Sequence, residues 1–285
     1  MAFVNYLIHL AILIGIYSIL TVSLNLAVGF TGLLNLGHIA FFGIGAYTSA
    51  LLSMYGMPVW ISMLVASVTA LTVGVLLALP TACLKGDYLA LATLGFTFIA
   101  GSVSRNWIGL TRGALGIPGI QKLVQPNTWF LIIVLVIASM VYFLFWKISR
   151  SRWGKTLQAI RDDELAAKTL GKDTFVRKIE AMALSAFFAG LAGGFFAHYI
   201  TFIDPSIFGL GDVIFLFSML VIGGLASIKG AALGTIILFV IPEPLRFIGF
   251  PSSILGPMRE ILFALVLILI IIYKPRGIFG KVDLK

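Results

Sequence analysis

The sequence predicts an all-α, polytopic bundle of transmembrane helices, some of them broken or re-entrant. Three observations carry that prediction. The chain of 285 residues is 60% hydrophobic, with a mean hydropathy of +1.09. Only 11% of it is charged, against about 25% in soluble domains. Its apolar residues gather in recurring stretches of about 15 to 25, close to the length a hydrocarbon core demands of a helix. No Lys, Arg, Asp or Glu precedes Lys85. That start is too long for a signal peptide and lacks a basic leader or a cleavage site. The chain reads as one membrane domain over 1–285, of about eight or nine helices, with a cytoplasmic segment at about 150–178.

The apolar stretches fall near 7–28, 39–54, 58–83, 87–104, 128–146, 180–200, 213–228, 231–249 and 260–273. In lipid every backbone polar group needs an internal partner, so each is expected to be helical. The alternation of a membrane barrel is missing. The short stretches 39–54 and 213–228 read as broken or re-entrant. Gly29 and Gly32 interrupt the first run, and Gly37, Gly43 and Gly45 continue the pattern in "NLGHIAFFGIGAYTS" (35–49). Asn35 and His38 are costly in lipid and should face protein or water. Either they are hydrogen-bonded residues that fix a break, or they touch a polar pathway. Asn25, Thr48 and Ser49 are weaker candidates of the same kind. Glu243 stands between Pro242 and Pro244, three residues before Arg246. It reads as half of an ion pair at the helix end, or as a gate or ammonium contact. Asp204 and Asp212, flanking "PSIFGLG", read as solvated loop acids or as contacts for a basic patch on a partner.

The net charge of +9 does not indicate nucleic-acid binding, because it sits in loops between apolar stretches. Nine Lys/Arg lie in 147–178 and four in the tail from Lys274 onward. With Lys85 and Lys229, that places fifteen of the 20 on one side. The positive-inside rule makes that side cytoplasmic. Loop 105–127 and the N-terminus then lie outside.

Small residues recur at four-residue spacing, as in Gly190/Gly194 and Gly230/Gly234. Such pairs let helices approach closely, either within the chain or at a subunit interface. The single cysteine, Cys83, supports neither a disulfide nor a Cys-based metal site. His9, His38 and His198 show no metal-ligand spacing, and no catalytic constellation appears.

Within 147–178 a short helix is predicted near 162–170. Acids come first (Asp162, Asp163, Glu164) and lysines last, which complements the helix dipole. Glu164 and Lys168 stand in the favoured i, i+4 order, and Gly171 supplies a left-handed stop. Leu165, Ala166, Ala167 and Leu170 form its apolar side. It is either a solvated interfacial helix or a docking helix for a partner.

The segment "GKTLQAIRDDELAAKTLGKD" (154–173) resembles the cytoplasmic motif of ABC-importer permeases of the branched-chain amino acid family, LivM type. The stretches "NLGHIAFFGIGAYTS", "KGDYLALATLGF", "SAFFAGLAGGFFA", "SMLVIGGLASIKGAALG" and "YKPRGIFG" resemble family segments in the same order, so the likeness spans nearly the whole chain. The sister LivH type has a different cytoplasmic loop. Some LivM-type chains carry extra N-terminal spans that are not found here.

The resemblance implies a membrane subunit working by alternating access. Its expected partners are a LivH-like permease, two ATPase subunits and an extracytoplasmic binding protein, in the cell membrane. Arg161, Asp162, Asp163, Glu164, Ala166, Ala167, Leu170 and Gly171 would form the coupling helix. The chain has no GxxxxGK[ST] phosphate loop, so ATP and Mg are expected on the partner ATPases, with no cofactor in this chain. Asn25, Asn35, His38, Thr48 and Glu243 are the candidate pathway residues. A urea or sugar permease of the same family and a stand-alone secondary transporter remain alternatives. An integral-membrane enzyme is a poorer fit.

Overall fold

The computed structural model describes residues 2–84, 86–243, 252–274 and 276–280. Helix α1 (Ala2–Asn25) runs into a π-helical turn at Leu26–Phe30. Then follow α2 (His38–Met54), α3 (Val59–Thr81), α4 (Asp87–Asn106), α5 (Ile108–Thr111) and α6 (Asn127–Arg150). Two short helices, α7 (Arg152–Asp162) and α8 (Glu164–Thr169), lead to α9 (Thr174–Ile200). The chain ends with α10 (Leu210–Gly223), α11 (Ile228–Val240) and α12 (Ser252–Tyr273). Among the described residues, five helical stretches are long and apolar enough to cross a membrane: Phe3–Phe30, α3, α4, α6 and α9. Helices α2, α10 and α11 and the Ile261–Ile270 part of α12 are shorter apolar helices.

Helix α9 is the central element and packs on α2, α3 and α1. Its small residues make this possible. A Cβ on Gly190 would meet Ala70 Cβ at 2.5 Å and Ala66 O at 3.0 Å, and one on Gly194 would meet Met63 Cγ at 3.1 Å. On the α2 side, Gly45 abuts the Gly190 backbone and Gly193 abuts Phe42 O. Both glycine pairs singled out in the sequence thus face neighbours within the chain. Gly230 and Gly234 lie against Gly223 and Met219 O of α10. The remaining surface stays apolar, as a lipid-facing wall requires: Leu64 and Val68 on α3, Phe98 and Ile99 on α4, Met140 and Phe143 on α6 are all exposed.

Two contacts fix which ends belong together. Arg161 Nη1 donates to Gly29 O at 2.8 Å, and His9 Nδ1 lies 2.6 Å from Tyr199 Oη. The start of α1 therefore lies with the end of α9, which also holds the loop between α5 and α6 through His198 and Gln121; the charge rule assigns that end to the outer side. Exposed Trp60, Trp107 and Trp129 mark that end, and Trp146 marks the other. Trp129 and Trp146 are separated by about 26 Å along α6, close to the roughly 30 Å of a hydrocarbon core. Their placement is that of interfacial aromatic anchors.

The outer loop is clasped to α9. Strands β1 (Ile117–Pro118) and β2 (Phe202–Ile203) pair antiparallel, Ile117 opposite Ile203. Nearby, His198 Nδ1 donates to Gln121 O at 2.6 Å, and its Nε2 lies 2.8 Å from Ser49 Oγ.

The structure corrects several boundaries. The stretch 213–228 is broken, as expected, because Gly224 adopts φ +103° and the chain turns through Gly224–Ser227 before α11, but 39–54, expected to be broken or re-entrant too, lies in one continuous helix, α2. Gly43 and Gly45 do not break a helix; both lie within α2. The polar segment holds an additional helix, α7, whose Leu157 and Ile160 are buried while its other faces meet water. Ser151 caps it by accepting from Gly154 N at 3.1 Å.

Candidate functional site

A cavity of about 680 Å³ lies at the outer end between α1, α9, α10, α11 and α12. Small-molecule sites occupy roughly 300–1,000 Å³. Helix α1 contributes Tyr6, His9, Leu13 and Tyr17, a single face at helical spacing. Tyr17 forms the floor with Phe196, Phe215 and Phe239, at ring-centroid distances of 6.4, 6.0 and 5.2 Å and steep angles. Such edge-to-face clusters pack rigidly. Beneath the floor, the Thr21 and Thr235 hydroxyls lie 3.0 Å apart. Below them Asn25 clamps the turn before α11: its Nδ2 donates to Ser227 O at 2.9 Å, and its Oδ1 accepts from Ala226 N at 3.0 Å. The rim at Ser206 and Gly211 is exposed. The cavity therefore opens at its Ser206–Gly211 rim, the end that the charge rule places outside, and is closed beneath Tyr17.

Its polar side chains are two acids, one imidazole and the hydroxyls of Tyr6, Tyr17 and Ser206. Asp212 and Glu243 line it along with His9, and no Lys or Arg appears among the described lining residues. Asp212 is not a loop acid: α10 begins at Leu210, so Asp212 sits in its first turn and accepts from Gly209 N at 3.2 Å. A carboxylate there complements the helix dipole. Asp204 does sit in a loop, where Oδ1 accepts from Ser206 N at 2.7 Å. Arg246, the expected partner of Glu243, lies outside the described residues. Sequence reasoning missed His9 and Tyr17 as lining groups. The signal was present in the Tyr6, His9, Leu13, Tyr17 spacing.

Of the five candidate pathway residues, the cavity gathers Glu243. The others serve packing in this conformation. Asn25 makes the clamp just described. Asn35 Oδ1 accepts from Gly37 N at 2.9 Å, which shapes the entry to α2. Ser23 Oγ donates to Leu20 O at 2.8 Å, so His38 Nε2 carries the proton that reaches Ser23 Oγ at 2.9 Å. His38 Nδ1 is then a buried acceptor with no hydrogen-bond partner among the described residues. Thr48 is half-buried, and its hydroxyl lies 3.4 Å from Thr69 Oγ1.

The cytoplasmic segment is a second feature of the site. Asp163 caps α8 by accepting from Leu165 N at 2.9 Å and Ala166 N at 3.0 Å, and Gly171 at φ +74° ends it. Glu164 faces inward. Its Oε2 meets Lys178 Nζ at 2.8 Å and its Oε1 meets Lys168 Nζ at 3.1 Å. Ala167 is buried as well, and Arg161 turns toward α1. Asp162, Asp163, Ala166, Leu170 and Gly171 are exposed, as is Leu165. The eight residues expected to face a partner thus split into an inward anchor and an outward face. Trp153 Nε1 donating to Glu180 Oε2 at 2.6 Å pins α7 to α9.

The Glu164 anchor has a defined acid sensitivity. Burial pushes its carboxyl upward, but hydrogen bonds from Lys178 and Lys168 and the charge of Lys178 outweigh this and hold it at about 2, down from 4.5. A depressed carboxyl stabilises the fold above its unfolded value, and the contribution is lost as pH falls toward the folded one. The docking of α8 on α9 is therefore expected to be intact above about pH 4.5 and to weaken progressively toward pH 2. Amide exchange over 164–172 reports this. Glu164→Gln should exchange faster at neutral pH and lose this acid dependence; an unchanged acid profile would rule the anchor out.

A cavity at one end of a bundle of membrane-length apolar helices, with a charged helical segment docked at the other end, is an architecture suited to a helical membrane permease. The chain matches the family described as branched-chain amino acid transport system / permease component over residues 6–271, and it belongs to that family. It is 32% identical to the high-affinity branched-chain amino acid transport system permease protein LivM of Escherichia coli K12, covering 95% of this chain and 69% of that one. It is 28% identical to the probable LivM permease of Methanocaldococcus jannaschii, covering 94% and 91%. Its identity to the LivH permease of Salmonella typhimurium is 23%, covering 94% and 92%. These values place it with the LivM type, as a multi-pass protein of the cell membrane. No solved structure matches it.

Proposed function

We propose that this chain is the LivM-type permease subunit of an ATP-binding cassette importer for branched-chain and other hydrophobic amino acids. The observation that carries the reading is the outer cavity, whose aromatic floor suits an apolar side chain and whose Asp212 and Glu243 suit an ammonium group. The subunit pairs with a LivH-like permease. Two separate ATPases bind ATP and Mg and dock on the exposed face of α8, and an extracytoplasmic binding protein delivers substrate to the cavity. Relatives named as transport permease components support this division of labour. Transport proceeds by alternating access: the floor around Tyr17 opens as the outer rim closes.

The test is uptake of radiolabelled leucine into proteoliposomes holding both permeases and both ATPases, with ATP inside and binding protein outside. ATP-dependent uptake is expected. Uptake by this chain alone without ATP would indicate a secondary transporter, and ATP-driven uptake of urea or a sugar in place of leucine would change the cargo. In the same assay the Asp212→Asn/Glu243→Gln variant should raise the apparent KM roughly tenfold or more, since a hydrogen bond to a charged group contributes about 1.5–3 kcal/mol. An unchanged KM would remove these acids from the pathway.

A further inference from the structure

The broken end of α1 is held from two sides. From below, Arg161 Nη1 donates to Gly29 O at 2.8 Å, while Nε and Nη2 of the same guanidinium donate to Asp162 Oδ1 at 2.9 and 2.7 Å. From the side, Asn25 clamps Ala226 and Ser227, the turn that starts α11. Two glycines make room for both grips. A Cβ at Gly29 would strike Asn25 Oδ1 and lie 2.5 Å from Ala226 N. Gly32, at φ +75°, passes so close that a Cβ there would lie 2.9 Å from Arg161 Cγ. The π-turn leaves carbonyls such as that of Gly29 outside the regular α ladder, available to a donor from another element.

We propose that this knot joins the cytoplasmic segment to the α10–α11 turn, with Arg161 as the positioning residue that makes α1 follow α7 and α8. It rests on the importer reading above. The ATPases move α8, Arg161 carries the movement to Gly29, and Asn25 passes it to the turn at Ala226–Ser227. The cavity floor stands on those same helices, α1, α10 and α11, so it opens when the knot shifts. Asp162 holds the guanidinium in one orientation, which a lysine ammonium at this position would not reproduce.

The test measures leucine imported per ATP hydrolysed in the complete proteoliposome system. Arg161→Met keeps the stem and removes the guanidinium. It is expected to leave ATP hydrolysis stimulated by the loaded binding protein while uptake falls on the order of tenfold. A covalent replacement supplies the second arm: Gly32→Cys with Arg161→Cys, in a Cys83→Ser background, read against Gly32→Cys alone, which must first keep coupled uptake despite the positive φ of position 32. A Cβ at position 32 lies 3.3 Å from Arg161 Cβ, near the separation of about 3.5–4.5 Å found in disulfides. The oxidised pair should recover leucine per ATP, and reducing it should uncouple the same protein again. Hydrolysis and uptake falling in parallel in Arg161→Met would assign the residue to the ATPase dock and overturn the proposal. So would an unchanged ratio, or an oxidised pair that stays uncoupled. If the unaltered complex shows no ATP-driven leucine uptake, the importer reading fails first and this mechanism with it.

Discussion

Gly193→Leu is expected to prevent stable assembly of the permease in the membrane. The position lies where α9 crosses α2, and a Cβ there would collide with Phe42 O and sit 2.8 Å from Ala46 N. Both obstacles are backbone atoms of a helix, which cannot rotate aside as a side chain does. Gly45 makes the reciprocal approach onto the Gly190 backbone, so separating the helices at one point opens the seam at the other. Overpacking a tight core costs typically 1–3 kcal/mol, and about 3 kcal/mol is expected here. Gly95 in α4 is the control, because a Cβ there meets nothing within 4 Å. Size-exclusion profiles in detergent after stepwise heating should show early aggregation for Gly193→Leu and near-normal behaviour for Gly95→Leu. Equal behaviour of the two variants would refute the close-packed seam.

Glu164→Ala is expected to cost nearly as much, through a different cause. It leaves the Lys178 ammonium, with only 6% of its side chain exposed, facing Ala82 O at 3.4 Å and no carboxylate. Removing one partner of a buried pair costs about 3–5 kcal/mol because the other charge stays desolvated; the 16% exposure of Glu164 puts the loss here at the lower end. Adding Lys178→Met removes the stranded charge. The double variant should therefore exchange amides over 164–172 more slowly than Glu164→Ala alone. If the two changes were simply additive, the pair would not be the anchor of α8.

The sequence made the bundle legible because membrane helices announce themselves by length and apolarity. Breaks were harder to read. Gly29 and Gly32 did mark one, since the turn needs the positive φ of Gly32. Gly43 and Gly45 have the same composition around them and lie in unbroken helix, where their role is to let α9 approach. A lone sequence does not separate a glycine needed for its backbone from one needed for its missing side chain. Helix α7 was hidden because its buried positions, Leu157 and Ile160, are few and are surrounded by charge. The coupling residues were legible as a segment. Which of them face inward was not, because that depends on Lys178, fourteen residues away on another helix. Asp212 was misread for a related reason: without the Gly209 turn, an acid beside "PSIFGLG" looks like loop.

Helix α9 reaches from the Glu164 anchor to the clasp of the outer loop, 27 residues or about 40 Å. A close crossing, at Gly190, divides it into arms of about 24 and 15 Å. Turned about that point, a rigid helix would act as a see-saw: a push at its Thr174 end would arrive at the Ile117–Ile203 clasp reversed in direction and shortened by about a third. One rod would thus send opposite displacements to the two ends of the bundle.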